Sequence, residues 1–206
     1  MRANEIAETT RASTLAGLSR QKAGPEVLAR DLPLLRDVAR DVPVGLAVSI
    51  ALLDEELQHR LEPGTPSPRA RLELVRKARE AGLPCSVLVA PVLPWLTDSE
   101  EALDALFAQL ADVGASSVTA FALHLRPGAR EWFGRWLAGT HPELVPRYRE
   151  LYARGSYVRK AYREGLAERV GPLLRRHGLD RKTGFVLRGP SPAAPEAAPV
   201  EQLRLL

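Results

Sequence analysis

The sequence predicts an α/β fold built on a parallel sheet. Three observations carry this. Apolar runs of strand length recur at 44–50, 85–92 and 117–123. Amphipathic stretches of helical period separate them. The segments alternate strand, helix, strand, so consecutive strands run parallel and their C-terminal ends gather on one side. In such folds the loops after the strand C-termini carry the site.

Residues 1–24 mix charge, Ser/Thr and small residues without a clean period. They are expected to be poorly ordered, with the remains of a strand around 14–19. A helix is expected from Asp31, which can cap it. Pro33 suits the first turn, and Leu34, Leu35 and Val38 line one face. Strand one covers 44–50. A short helix at 54–61 is broken by the Glu62-Pro63-Gly64-Thr65-Pro66 turn. A second helix spans 68–81, with Leu72, Val75 and Ala78 inward and Arg69, Arg76 and Arg79 mostly outward; Gly82 stops it.

Strand two covers 85–92. Thr97 or Asp98 is expected to cap the next helix, which Glu100 and Glu101 favour at its N-terminal end. That helix runs to about 113, with Leu103, Leu106, Phe107 and Leu110 inward, and Gly114 ends it. Strand three covers 117–123, before an Arg126-Pro127-Gly128 turn. Beyond it the pattern becomes helical and aromatic, at 131–138, 142–153 and 157–177. Residues from about Asp180 are rich in Pro, Ala, Gly and Arg and read as a tail. The expected layout is an N-terminus at 1–24, a βα domain at 25–126, helices packing on it at 127–178 and a disordered tail at 179–206. Three strands are few for a parallel sheet, and one edge would be bare. Either the N-terminal residues add a strand or the sheet is part of a larger barrel.

The chain has 206 residues, enough for one good-sized domain or a domain plus a tail. No run of apolar residues is long enough for a membrane span, and no signal-peptide core opens the chain. A soluble cytoplasmic protein is expected. The net charge of +4 comes with an excess of arginine, which suits phosphate and carboxylate recognition. Cys85 is the lone cysteine, so neither a disulfide framework nor a cysteine-based zinc site can form within the chain. GxGxxG, P-loop, HExxH and GxSxG motifs are absent, and His59, His124, His141 and His177 have no zinc spacing.

Two segments are more specific. A strand ending in Ser49 leads to Glu62-Pro63-Gly64-Thr65, and a strand after Ala81-Gly82-Leu83-Pro84 leads to Pro91-Val92-Leu93-Pro94-Trp95-Leu96-Thr97-Asp98-Ser99. Together they resemble the radical S-adenosylmethionine (radical SAM) superfamily, and within it the spore photoproduct lyase-like or DNA repair photolyase-like group. Segments LHLRPGAREWF and PELVPRYRELY are similar too, and the likeness covers about 29–178. The resemblance implies a partial (βα) barrel, a 4Fe-4S cluster, and S-adenosylmethionine cleaved to a 5′-deoxyadenosyl radical that acts on a substrate. The three strands would match the fourth to sixth of that barrel, as a barrel fragment with a C-terminal helical segment. The family's CxxxCxxC cluster loop has no counterpart here, and Cys85 lies on another strand. The likeness is therefore to the C-terminal part alone, as in a truncated, split or degenerate relative inactive by itself. A separate cluster-bearing half is the expected partner and nucleic acid an expected substrate. The alternative is a non-catalytic module binding a nucleotide, nucleic acid or protein.

The resemblance also assigns candidate residues, each with a plainer alternative. Ser49 would hold the amino or carboxylate group of S-adenosylmethionine, or else bond its own loop backbone. Glu62 to Thr65 would flank the methionine moiety while Arg69 pairs a carboxylate, or else form a turn and a cap. Val92 and Leu93 would pack on the adenine, or else belong to a rigid crossover; Trp95 reads as packing. His124, with Arg126 beside it, would touch substrate or cofactor, or else be a structural histidine. Lys22 stands where the family often has a Thr-Lys pair. The Arg- and Tyr-rich helices from Arg147 to Arg176 would offer a nucleic-acid face, or else a solvated one.

Overall fold

The computed structural model describes residues 13–14 and 25–181. Lys22 and residues 182–206 lie outside the described residues. Strands β1 (Ser13–Thr14), β2 (Leu46–Ser49), β3 (Cys85–Val92) and β4 (Ser117–Ala122) form one sheet in the order β1-β2-β3-β4. β2, β3 and β4 are parallel, and β1 pairs antiparallel with β2. The expected parallel sheet is present, and the N-terminal segment adds a short strand to its edge. The helices are α1 (Pro25–Val38), α2 (Glu55–Leu61), α3 (Pro68–Glu80), α4 (Glu100–Asp112), α5 (Ala129–Thr140), α6 (Val145–Leu151) and α7 (Lys160–Arg176).

Side chains alternate across β3. Cys85, Val87 and Val89 are fully buried, while Ser86, Leu88 and Ala90 between them are half-buried. The inward set joins Leu46 and Val48 of β2 and Val118 of β4. Against them pack Leu28 and Leu32 of α1, Leu72, Val75 and Ala78 of α3, Leu103, Leu106, Phe107 and Leu110 of α4, and Leu166, Val170 and Leu173 of α7. Register places Ser49 beside Leu88 and Leu88 beside Thr119 on the opposite face. There Ser117 Oγ donates to Ser86 Oγ at 3.0 Å, and Phe121 is 52% exposed.

Local expectations were corrected at several points. α1 begins at Pro25, not Asp31, so proline takes the first helical position. Pro33 falls inside the helix, where it has no N–H for the Ala29 carbonyl. The buried face is Leu28 and Leu32, and Leu34 is 65% exposed. α4 is capped by Ser99, whose Oγ accepts from the Ala102 N–H at 3.2 Å, not by Thr97 or Asp98. The segment at 142–153 splits into a 3-10 turn (Pro142–Leu144) and α6. Leu179, assigned by composition to the tail, is buried, and its carbonyl accepts from Val118 N–H at the outer edge of β4, 3.1 Å away. Among the described residues no helix is long and apolar enough to cross a membrane.

Candidate functional site

All three parallel strands deliver their C-terminal ends to one rim, and a hollow lies there whose space, counted together with the open solvent at its mouth, is about 490 Å³. Its wall is mostly apolar: Ile50, Ala51 and Leu52 after β2, Pro91 and Leu93 at the end of β3, Leu123 after β4, and Phe133 from α5. Gln58, Glu62 and Arg71 supply the polar part. A mostly apolar hollow with a few convergent polar groups is the form of a small-molecule site.

The polar part is a network around a buried ion pair. Arg71 Nη2 meets Glu62 Oε2 at 2.8 Å, and both side chains are almost wholly buried. Arg71 Nη1 donates to the Ser49 carbonyl at 3.0 Å, and its Nε donates to the Pro66 carbonyl at 3.0 Å. Thr65 Oγ1 donates to the Glu62 carbonyl at 2.8 Å, and Gln58 Nε2 donates to Thr65 Oγ1 at 2.5 Å. The turn between α2 and α3 is therefore tied to the end of β2 by one guanidinium. Such a pair holds only because further hydrogen bonds satisfy the buried charges. Gly64 has φ +77°, the left-handed conformation this turn needs.

The loop after β3 is organised by its own side chains. Thr97 Oγ1 accepts from Leu93 N–H at 2.9 Å, and Asp98 Oδ1 accepts from Trp95 N–H at 2.7 Å. This holds Trp95 at φ +62°, a conformation costly for a bulky residue. Three tyrosines from the C-terminal helices then clamp the rim. Tyr148 Oη donates to the Pro94 carbonyl at 2.7 Å, Tyr152 Oη to the Leu123 carbonyl at 2.6 Å, and Tyr162 Oη to Asp98 Oδ2 at 2.6 Å. Burial pushes all three phenol pKa values up, most strongly for Tyr148. Arg169 Nη1 adds a bond to the Asp98 carbonyl, and the Arg147 guanidinium lies 4.7 Å from the Trp95 ring centroid.

The residues singled out from the sequence separate into groups. Glu62 and Leu93 reach the pocket wall. Thr65 lies behind Glu62. Ser49 is buried, its hydroxyl directed at the Ala90 carbonyl (3.0 Å) and the Leu88 carbonyl (3.3 Å), while its own carbonyl anchors Arg71. Val92 is fully buried in the core under the sheet, away from the pocket wall. Arg69 is exposed on α3, while Arg71, two residues on, is buried and pairs with Glu62. His124 stands at the rim, outside the pocket wall, stacked on Tyr157 with centroids 4.0 Å apart. Its pKa is lowered, by burial first and by the Arg126 charge second. Trp95 packs on Tyr148, as expected. Tyr148, Tyr152 and Tyr162 point inward and so are not part of an outward face.

Arg71, Gln58, Phe133 and the tyrosine clamps were missed by the sequence reading. For Arg71 a signal existed. It falls on the inward stripe of α3 with Pro68, Leu72, Val75 and Ala78, where a charge demands a partner.

Among the described residues no three His, Cys, Asp or Glu side chains gather as a metal site. Cys85 opens β3, at the end of the strand opposite the pocket, and burial pushes its thiol up to about 12. The lone thiol therefore does not fit an iron–sulfur cluster.

No family model matches the chain. An uncharacterized protein of Mycobacterium tuberculosis (strain ATCC 25618 / H37Rv) is 57% identical over 153 residues, 74% of this chain and 45% of that protein. An uncharacterized protein of Mycobacterium bovis matches to the same extent. An uncharacterized protein of Acidianus two-tailed virus is 41% identical over 103 residues, 48% of this chain and 34% of its own length. The chain thus spans about half the length, or less, of the curated relatives it matches. A spore photoproduct lyase mutant of known structure is 23% identical at a TM-score of 0.46, covering 64% of this chain and 41% of that one. Another, with bound AdoMet and dinucleoside spore photoproduct, is 20% identical at a TM-score of 0.45 over the same shares. Both likenesses are distant.

Proposed function

We propose that this chain is the C-terminal portion of a radical SAM protein of the photolyase-like group and that its strand-end pocket takes S-adenosylmethionine. The observation that carries this is the Glu62–Arg71 pair. The EPGT turn, which the motif resemblance singles out, is locked by that pair to the end of β2 at the edge of the pocket. The residues suit such a ligand. Glu62 offers negative charge toward an ammonium or sulfonium group. Arg71 has five N–H donors, and its bonds to Glu62, Ser49 and Pro66 engage one on each nitrogen. A ligand carboxylate would take the others. Leu52, Leu93, Leu123 and Phe133 offer apolar surface to an adenosine. Ser49 acts in this reading through its carbonyl, which holds Arg71.

The iron–sulfur cluster is a different matter. The chain has a single thiol, at the end of β3 away from the pocket, and these residues do not supply the ligands of a cluster. Radical chemistry on a nucleic-acid or other substrate would need a cluster-bearing portion from elsewhere, either the remainder of a longer protein or a separate chain. The lone thiol also favours a second reading, a module that binds a nucleotide at the same pocket without catalysis.

Calorimetric titration of S-adenosylmethionine tests the pocket. The wild-type chain should give a saturable heat. Ala51→Trp, which fills the mouth without removing a buried contact, should abolish it while the melting temperature stays close to wild type. No heat from either protein, or equal heats from both, would contradict the proposal. Adenosine competing as well as S-adenosylmethionine would favour the second reading.

A further inference from the structure

A second feature of the rim lies outside the pocket. Tyr157 is 60% exposed, yet its ring lies flat on the His124 imidazole, with centroids 4.0 Å and planes 11° apart. The backbone fixes this pose from both sides. Leu125 N–H donates to the Ser156 carbonyl at 2.9 Å, tying the segment before Tyr157 to the exit of β4. The Arg130 guanidinium donates to the Tyr152 carbonyl at 3.2 Å and to the Gly155 carbonyl. Val158, just after the tyrosine, is buried. The result is an aromatic surface held in place, with solvent on one side.

Four cations lie within three residues of the stacked pair in the chain. Arg126, Arg154, Arg159 and Lys160 are all exposed. Arg159 pairs with Glu150 and Lys160 with Glu164. Arg126 and Arg154 hold no carboxylate among the described residues. They come from two separate segments, the β4 exit and the α6–α7 connection, an arrangement that suits a ligand carrying more than one phosphate. An exposed aromatic ring suits a flat, unpaired base, since bases inside a duplex already have both faces stacked.

We propose that the His124–Tyr157 stack, with Arg126 and Arg154, is a platform for single-stranded nucleic acid, on which a base stacks against Tyr157 while the guanidiniums meet flanking phosphates. The platform requires neither the pocket nor S-adenosylmethionine, so it stands or falls separately from the reading above.

Fluorescence anisotropy with a short labelled oligothymidylate tests it. The wild-type chain should bind, and Tyr157→Ala should weaken binding by about fivefold or more. Tyr157→Phe should retain it, and Tyr157→Leu, apolar but not aromatic, should lose it. Arg126→Gln and Arg154→Gln should each reduce the slope of log affinity against log salt by about 0.7. Arg36→Gln, an exposed cation on α1, should change neither quantity. Tyr157 is exposed, so melting curves of its variants should overlay the wild type. Absence of binding by the wild type, or wild-type affinity in Tyr157→Ala, would overturn the proposal. Equal competition by inorganic phosphate or by duplex at matched phosphate concentration would overturn it too.

Discussion

The core beneath the sheet and the core at the strand ends are built from different material. The first is aliphatic apart from Phe107 and Cys85, and it comes from the alternating faces of β2, β3 and β4 and the stripes of four helices. The second gathers Phe133, Tyr148 and Tyr152, with Trp95, Trp132 and Trp136 packed beside them, around Leu52, Leu93 and Leu123. One core excludes polar groups, while the other is threaded by them. Tyrosine hydroxyls reach loop carbonyls, and a guanidinium bridges two turns. Oil-like packing can hold a sheet together, but it cannot fix the path of loops whose carbonyls must still find donors. The strand-end core fixes those paths, and the pocket is the space left between them.

The sharpest way to break this difference is to remove the polar lock. Arg71→Met should lower stability by about 3–5 kcal/mol in urea unfolding, because it breaks a buried ion pair and removes the guanidinium that bonds the Ser49 and Pro66 carbonyls. Combining it with Glu62→Leu should recover much of the loss. Breaking the exposed Arg76–Glu73 pair by Arg76→Gln should have no measurable effect.

That contrast also marks what could be read in advance. The core under the sheet was legible, because period-two and helical spacings are local: Val87 and Val89 announce a strand, and Leu103 to Leu110 a helix. The partners of Arg71 were not, since pairing it with Glu62 and with the Ser49 carbonyl requires knowing where the chain returns. The sequence points to the Ser49 hydroxyl, whereas the Ser49 carbonyl makes the contact with Arg71. Three consecutive capping residues, Thr97, Asp98 and Ser99, left the start of α4 ambiguous. The structure resolves this by giving the first two to the preceding loop. The tyrosines read as an outward stripe because helical period reveals a face but not its direction.

A smaller effect should follow from single hydroxyls. Tyr148→Phe leaves the Pro94 carbonyl without its donor and should lower stability by about 1–2 kcal/mol. Hydrogen exchange should then quicken in the loop after β3, while the amides of β3 itself remain protected.

The smallest concerns the surface between α4 and α7, behind the first core. A hydrogen bond to His177 holds the Asp104 carboxyl below its usual pKa against an upward push from burial, and Arg176 adds a smaller lowering. A depressed folded-state value means that the stabilisation is complete above the unfolded pKa and is lost as pH falls through the folded one. Melting temperatures below about pH 4 should therefore fall more steeply for the wild type than for Asp104→Asn, and the two curves should run parallel above about pH 5.

The central claim is that the strand-end pocket holds S-adenosylmethionine between the EPGT turn and the loop after β3. Hydrogen exchange with and without S-adenosylmethionine tests this most directly. Protection should rise at Glu62 to Thr65 and at Leu93 to Thr97 and stay unchanged at Cys85 to Val87. Protection that rises nowhere, or rises only at the start of the strands, would contradict it.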